Sequence, residues 1–228
     1  MNRVRALVIA SVGLAISGSL ASAQDLSRYR AYALESSLDS VVAASGARAA
    51  EAKTLHERPA RIQELAWRPP YVGYGKDRSD PVREVAFTFY NDALYQVVVR
   101  YDRDRTDGLT NSDIIESLSA TYGAPVLAST RTRTTGSAEA FVDTIVLARW
   151  ENAASSLTLL RNMYSPEFQL ILLSKPLSTS AASAIREAVR LDAIEAPRRE
   201  LEQRKKDDAD ANAARDKMRT TNKAGFRP

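Results

Sequence analysis

The sequence predicts an α+β protein: an antiparallel sheet with helices packed on one face, readable as two tandem helix-plus-hairpin units, and a C-terminal helix. Two observations carry the class. Val85, Phe87 and Phe89 alternate with Glu84, Ala86, Thr88 and Tyr90, and Tyr95, Val97, Val99 and Tyr101 alternate with Gln96, Val98 and Arg100, the period of two half-buried strands. Thr110 with Asp113 three residues on forms a capping-box start, and Ile114, Ile115, Leu118 and Tyr122 follow at helical spacing up to Gly123 and Pro125. If opposed residues of the hairpin share a face they have equal parity, which an odd loop supplies, so Asn91, Asp92 and Ala93 are the expected turn. Gln96, Arg100 and Glu84 then point to a wetter face, as in an antiparallel sheet covered on one side.

In chain order, Arg3 and Arg5 precede an uncharged run from Ala6 to Ser22 that ends in Ala21-Ser22-Ala23. This is the pattern of a secretory signal over 1–23, cleaved before Gln24. An uncleaved anchor is the weaker reading, because the run contains Gly13, Gly18 and several serines and barely reaches bilayer length. A periplasmic or secreted location follows as the expectation, with no membrane span after cleavage. The chain has no Cys, so neither a lipid anchor at the cleavage point nor disulfide staples are expected, which suits a bacterial periplasm. Losing Arg3 and Arg5 takes the formal charge from +4 to +2, and nucleic acid is not implied as a partner.

A short helix is expected from Ser36 to Gly46, with Ser36 and Asp39 at capping spacing and Leu38, Val41 and Val42 as its apolar side. An Ala-rich, charged connection leads to a strand, Gln63 to Trp67, that two prolines, Pro69 and Pro70, bring to an end. The loop to Arg78 precedes the hairpin, and Thr106-Asp107-Gly108 turns the chain into the capped helix. Beyond Pro125 a polar stretch leads to three strands: Val142 to Trp150, Ser155 to Met163 and Phe168 to Leu173. The last is almost wholly apolar and reads as a central strand, covered on both sides or packed at the helix layer. From Pro176 a helix with the stripe Ala184, Ile185, Ala188, Val189, Leu191 and Ile194 is expected to pack on the domain. After Pro197 mixed charge dominates, so 197–228 reads as a charged helical or disordered tail beyond a single domain, 24–196.

Helix, Gly46, Trp67 strand and hairpin are matched by helix, Gly123, Trp150 strand and hairpin, which suggests half-repeats over 34–105 and 106–175. The order from Val41 to Gly46, Leu65 to Trp67 and Val85 to Val99 resembles the units of the beta-lactamase inhibitor protein and of the small assembly lipoproteins of the outer membrane. Such a resemblance implies a two-layer fold and, by itself, no function.

The reactive inventory is thin. His56 is the one His, so a zinc or copper site would need carboxylates for every other ligand, and no metal or cofactor is expected. No Gly-x-Ser-x-Gly elbow accompanies it. The carboxylate pairs Asp102 with Asp104 and Asp207 with Asp208 read as solvated charge, at a strand end and in the tail. The alternative to a non-catalytic binding or envelope-assembly module is therefore a hydrolase using His56 or such a pair; a lectin-like or peptidoglycan-binding protein is a third class. The stretch most like a site interleaves Trp67, Tyr71 and Tyr74 with Arg68, Lys76 and Arg78, the residue types of binding hot spots. Its plainer reading is core packing of Trp67 and Tyr71 at a strand end. The connection from Trp67 to Val82 is much longer than the turn after Trp150, and long loops in compact domains are disproportionately functional. An envelope protein or a glycan is the expected partner.

Overall fold

A computed structural model describes residues 25–69, 80–126, 130–134, 142–162, 167–225 and 227. Its centre is an eight-stranded antiparallel sheet. A two-residue pair, β1 (Arg28–Tyr29) and β2 (Tyr32–Ala33), precedes α1 (Leu38–Ser45). Then come β3 (Lys53–His56), β4 (Ile62–Trp67), β5 (Val82–Tyr90), β6 (Ala93–Tyr101), the single turn α2 (Arg103–Thr106) and α3 (Asn111–Tyr122). The strands β7 (Thr130–Thr134), β8 (Val142–Glu151), β9 (Ser155–Asn162) and β10 (Phe168–Ser174) run into α4 (Lys175–Gly225). Across the sheet the order is β3-β4-β5-β6-β10-β9-β8-β7. Read outward from the β6–β10 seam, each half gives its fourth, third, second and first strand, and each half is introduced by a helix ending at a glycine.

The α+β class and the antiparallel sheet agree with the sequence reading. The Thr110–Asp113 capping box is present in both directions, and Gly46 ends α1 in the left-handed region at φ 71°, where a Cβ would be strained. The first helix is capped one residue later than expected, by Ser37, whose hydroxyl accepts from Ser40 N–H. The β5–β6 turn is also different: Asn91 and Asp92 alone close it, both at positive φ (47° and 71°), the backbone of a two-residue hairpin turn that Asn and Asp tolerate. Equal parity is restored by a bulge between Thr88 and Phe89, beside which Tyr95 is the extra residue, so that Phe87 still faces Val97. Asp92 gains a second role here, because its carboxylate accepts from Leu38 N–H at 3.1 Å and fixes the start of α1 to the turn.

The main core lies between the sheet and α1, α3 and the N-terminal segment. Leu65, Val85, Phe87, Phe89, Leu94, Val97, Val99, Leu157, Leu159, Leu170 and Trp150 are fully buried there, with Tyr32 tilted against Phe87 at 4.6 Å between centroids. Two strands lie where the sequence pattern predicts none: β3 falls in the expected connection and β7 in the expected polar stretch. Both are short edge strands of mostly polar residues, which carry little hydrophobic period to read. The apolar strand β10 is central, yet only Phe168, Leu170, Leu172 and Ser174 are buried while Gln169, Ile171 and Leu173 are half-buried. One face of it is thus fully covered and the other in part.

That second face is not bare. The first turns of α4 cross one end of it, where Ala181, Leu177 and Ile185 join Ile62, Tyr90, Tyr95 and Leu173 in a smaller cluster. An ion pair between Arg58 and Glu195 ties the helix to the β3–β4 turn. The expected stripe is half right: Ala184 and Ala188 are buried, whereas Val189 and Ile194 are 57% and 61% exposed, off the line of Ala181, Ala184 and Ala188 along which the helix meets the sheet. Pro197 does not stop the helix, and residues 198–225 continue it with every residue exposed. No helix among the described residues is long and apolar enough to cross a membrane.

Candidate functional site

Of the six residues proposed for recognition, Trp67 and Arg68 are described; Tyr71, Tyr74, Lys76 and Arg78 lie outside the described residues. Trp67 ends β4 opposite Val85 and is half-buried against the main core. The neighbouring Arg68 is committed to Glu84, with Nη2 at 2.6 Å and Nε at 2.8 Å from Oε2. Arg100 approaches the other oxygen of the same carboxylate. Burial pushes the Glu84 pKa up, and the two guanidiniums more than reverse this, so its carboxyl stays below the usual glutamate range.

Trp67 and Arg68 share a shallow cleft of about 690 Å³ with Ser45, Gly46, Ala47, Glu51 and Ala66. Its floor is the open edge of β4. Arg61 exchanges bonds with Asn91, its carbonyl accepting from Asn91 N–H at 2.8 Å and its N–H donating to Asn91 Oδ1 at 2.9 Å. Odd residues of β4 therefore direct their main-chain groups to β5, and Ile62, Glu64 and Ala66 direct theirs to the β3 side. Since β3 begins with Lys53 opposite Glu64, no strand among the described residues lies beside Ala66. The chain there forms a 3-10 turn, Ala49–Glu51, whose following N–H groups are used internally: Glu51 N–H donates to Arg48 and Ala52 N–H to Ala49. Arg48 and Glu51 pair with each other on the rim.

The other half treats the same place differently. After Gly123 the chain runs along the edge of β8, where Val126 N–H donates to Arg149 O at 2.7 Å. The Trp150 indole Nε1–H donates to Gly123 O at 2.6 Å, and the ring is 1% exposed. Arg149 and Trp150 stand where Ala66 and Trp67 stand in the first half. Apart from the repeated glycine–tryptophan order, nothing in the sequence marks Ala66, Gly46 and Glu51 as cleft residues, and that order says nothing about how the intervening chain turns.

The alternative catalytic groups are placed otherwise. Asp102 caps α2, its carboxylate accepting from Asp104 N–H at 3.0 Å. Asp207 accepts from Gln203 on the exposed part of α4, beside Asp208. His56 is half-buried in β3, where Asp192 of α4 lies near it; that carboxylate bonds Arg199 at 2.8 Å. Among the described residues no group of three or more His, Asp or Glu side chains could hold a metal ion. No protein-family model matches the chain, and neither does any curated protein or solved structure that was compared with it.

Proposed function

We propose that the protein is an exported, non-catalytic binding module of the bacterial envelope that recognises a protein partner at the end of β4. One observation carries this reading: the half-buried Trp67 borders an open cleft, whereas its counterpart Trp150 is closed over by the chain's own Gly123–Val126. A tryptophan held on a rigid strand beside unfilled space offers a partner large contact area at low entropic cost. Tyr71, Tyr74, Lys76 and Arg78 follow Trp67 in the sequence and belong to the proposed surface. The helix, glycine, Trp strand and hairpin order that resembles the inhibitor and assembly-lipoprotein units belongs to this proposal as well. The test is pull-down from a periplasmic extract with the parent protein, Trp67→Ala and Tyr71→Ala/Tyr74→Ala. Loss of a reproducible partner with unchanged far-UV spectrum and melting supports recognition. Retention of every partner by all variants sinks it, as does a turnover activity abolished by His56→Ala.

A further inference from the structure

We infer that the cleft beside Trp67 takes an extended peptide segment of a partner protein, added as a short strand to the free edge of β4. This deepens the recognition reading above and rests on it. Ala66 turns its N–H and C=O outward, and among the described residues no group bonds them. An edge of this kind is a template for one more strand. The second half shows what such an occupant looks like. There Gly123-Ala124-Pro125-Val126 lies against β8, giving an N–H to Arg149 O and a carbonyl to the Trp150 indole. The first half has the acceptor at Ala66 O and the indole at Trp67, and among the described residues none fills the space, because the chain turns at Ala49–Glu51. Even a Cβ built on Gly46 would meet nothing within 4 Å.

The chemistry of the cleft narrows the ligand. Among the described residues its cationic side chains are already paired, Arg48 with Glu51 and Arg68 with Glu84, so this part of the surface does not call for an acidic peptide. The lining of Ala47, Gly46, Ala66 and the Trp67 ring suits small apolar side chains. At about 3.3 Å per residue, three or four residues span such an edge. The expected occupant is an uncharged, extended stretch of Gly, Ala, Pro and Val type, with one carbonyl toward the Trp67 indole, another toward Ala66 N–H, and an N–H toward Ala66 O.

The probe is a capped peptide, acetyl-Tyr-Gly-Ala-Pro-Val-Leu-amide, the sequence of residues 122–127. Trp67 and Trp150 are the two tryptophans of the chain, so a nitrogen–proton correlation spectrum contains two indole signals, one of them an internal control. Titration to millimolar peptide is expected to shift the Trp67 indole saturably, leave that of Trp150 in place, and slow exchange of the Ala66 amide at least several-fold. Ala66→Pro removes the outward N–H without touching the ladder to β5 and is expected to abolish the shift at unchanged melting temperature. Absence of any shift, equal binding by Ala66→Pro, or an unprotected Ala66 amide in the peptide-saturated parent overturns strand addition. If the pull-down partner is lost with Trp67→Ala but kept by Ala66→Pro, recognition at this end stands and strand addition alone falls.

Discussion

Phe87 is fully buried opposite Val97, with Tyr32 against its ring, so Phe87→Ala is expected to cost about 3–5 kcal/mol in chemical denaturation. Thr88, on the other face, is also buried; the Glu64, Ala86 and Gln96 side chains around it shield a small hydroxyl, and Thr88→Ala is expected to cost less, but not nothing. Gln63 presents the opposite case. Its Oε1 is buried with no partner among the described residues, a desolvation cost with no compensating bond. Gln63→Met is accordingly expected to leave stability unchanged or raise it by about 1 kcal/mol, and a clear loss by the same assay would show that the amide is bonded in solution. The Glu84 carboxylate gives stability a pH dependence of known sign. Its folded pKa lies below its unfolded one, so its contribution is present above the unfolded value, near 4.5, and is lost as pH falls through the folded value. Glu84→Gln is expected to flatten the acid limb of a stability–pH profile, and an identical limb in the variant would refute the assignment.

Among the elements, α4 divides sharply. Ala181, Ala184 and Ala188 bury it against the sheet end, and residues 197–225 are exposed throughout. Ordering each of those residues costs about 1–2 kcal/mol that no burial offsets, so the tail draws only on local helix propensity and on side-chain pairs such as Arg198 with Glu202. A chain ending at Ala196 is expected to melt within a few degrees of the longer one. A large drop in a thermal scan would mean that the tail packs in solution. The cap of α3 is a second element-scale test: Thr110 accepts from Asp113 N–H at 3.2 Å, and Thr110→Ala is expected to lose about 1 kcal/mol.

For the whole molecule, the seam matters most. Val97 and Val99 of one half and Leu170 and Leu172 of the other pair across β6 and β10 within one continuous core. Two halves joined through the middle of a sheet, each strand of the seam buried by the other, leave no interface at which one half could unfold first. Far-UV circular dichroism and tryptophan fluorescence are expected to report one coincident melting transition, and two separated transitions would show that the half-repeats are independent units.

By itself the sequence determined what local chemistry can specify: the capped helix from Thr110, the left-handed stop at Gly46, the alternating strands around Phe87 and Val97, and the length of the connection after Trp67. Each is decided by residues within a few positions of one another. Tertiary structure alone decided the two-residue turn with its compensating bulge, because parity can be kept by either a loop or a bulge and only packing selects one. The edge strands β3 and β7 emerged for the same reason: their mostly polar sequences carry little hydrophobic period, and a neighbour's ladder defines each of them. The candidate site was half legible. Trp67 and Arg68 stood out by residue type, whereas the free edge at Ala66 exists only because β3 starts at Lys53 and the chain before it turns away, a fact about pairing between segments that no local pattern encodes.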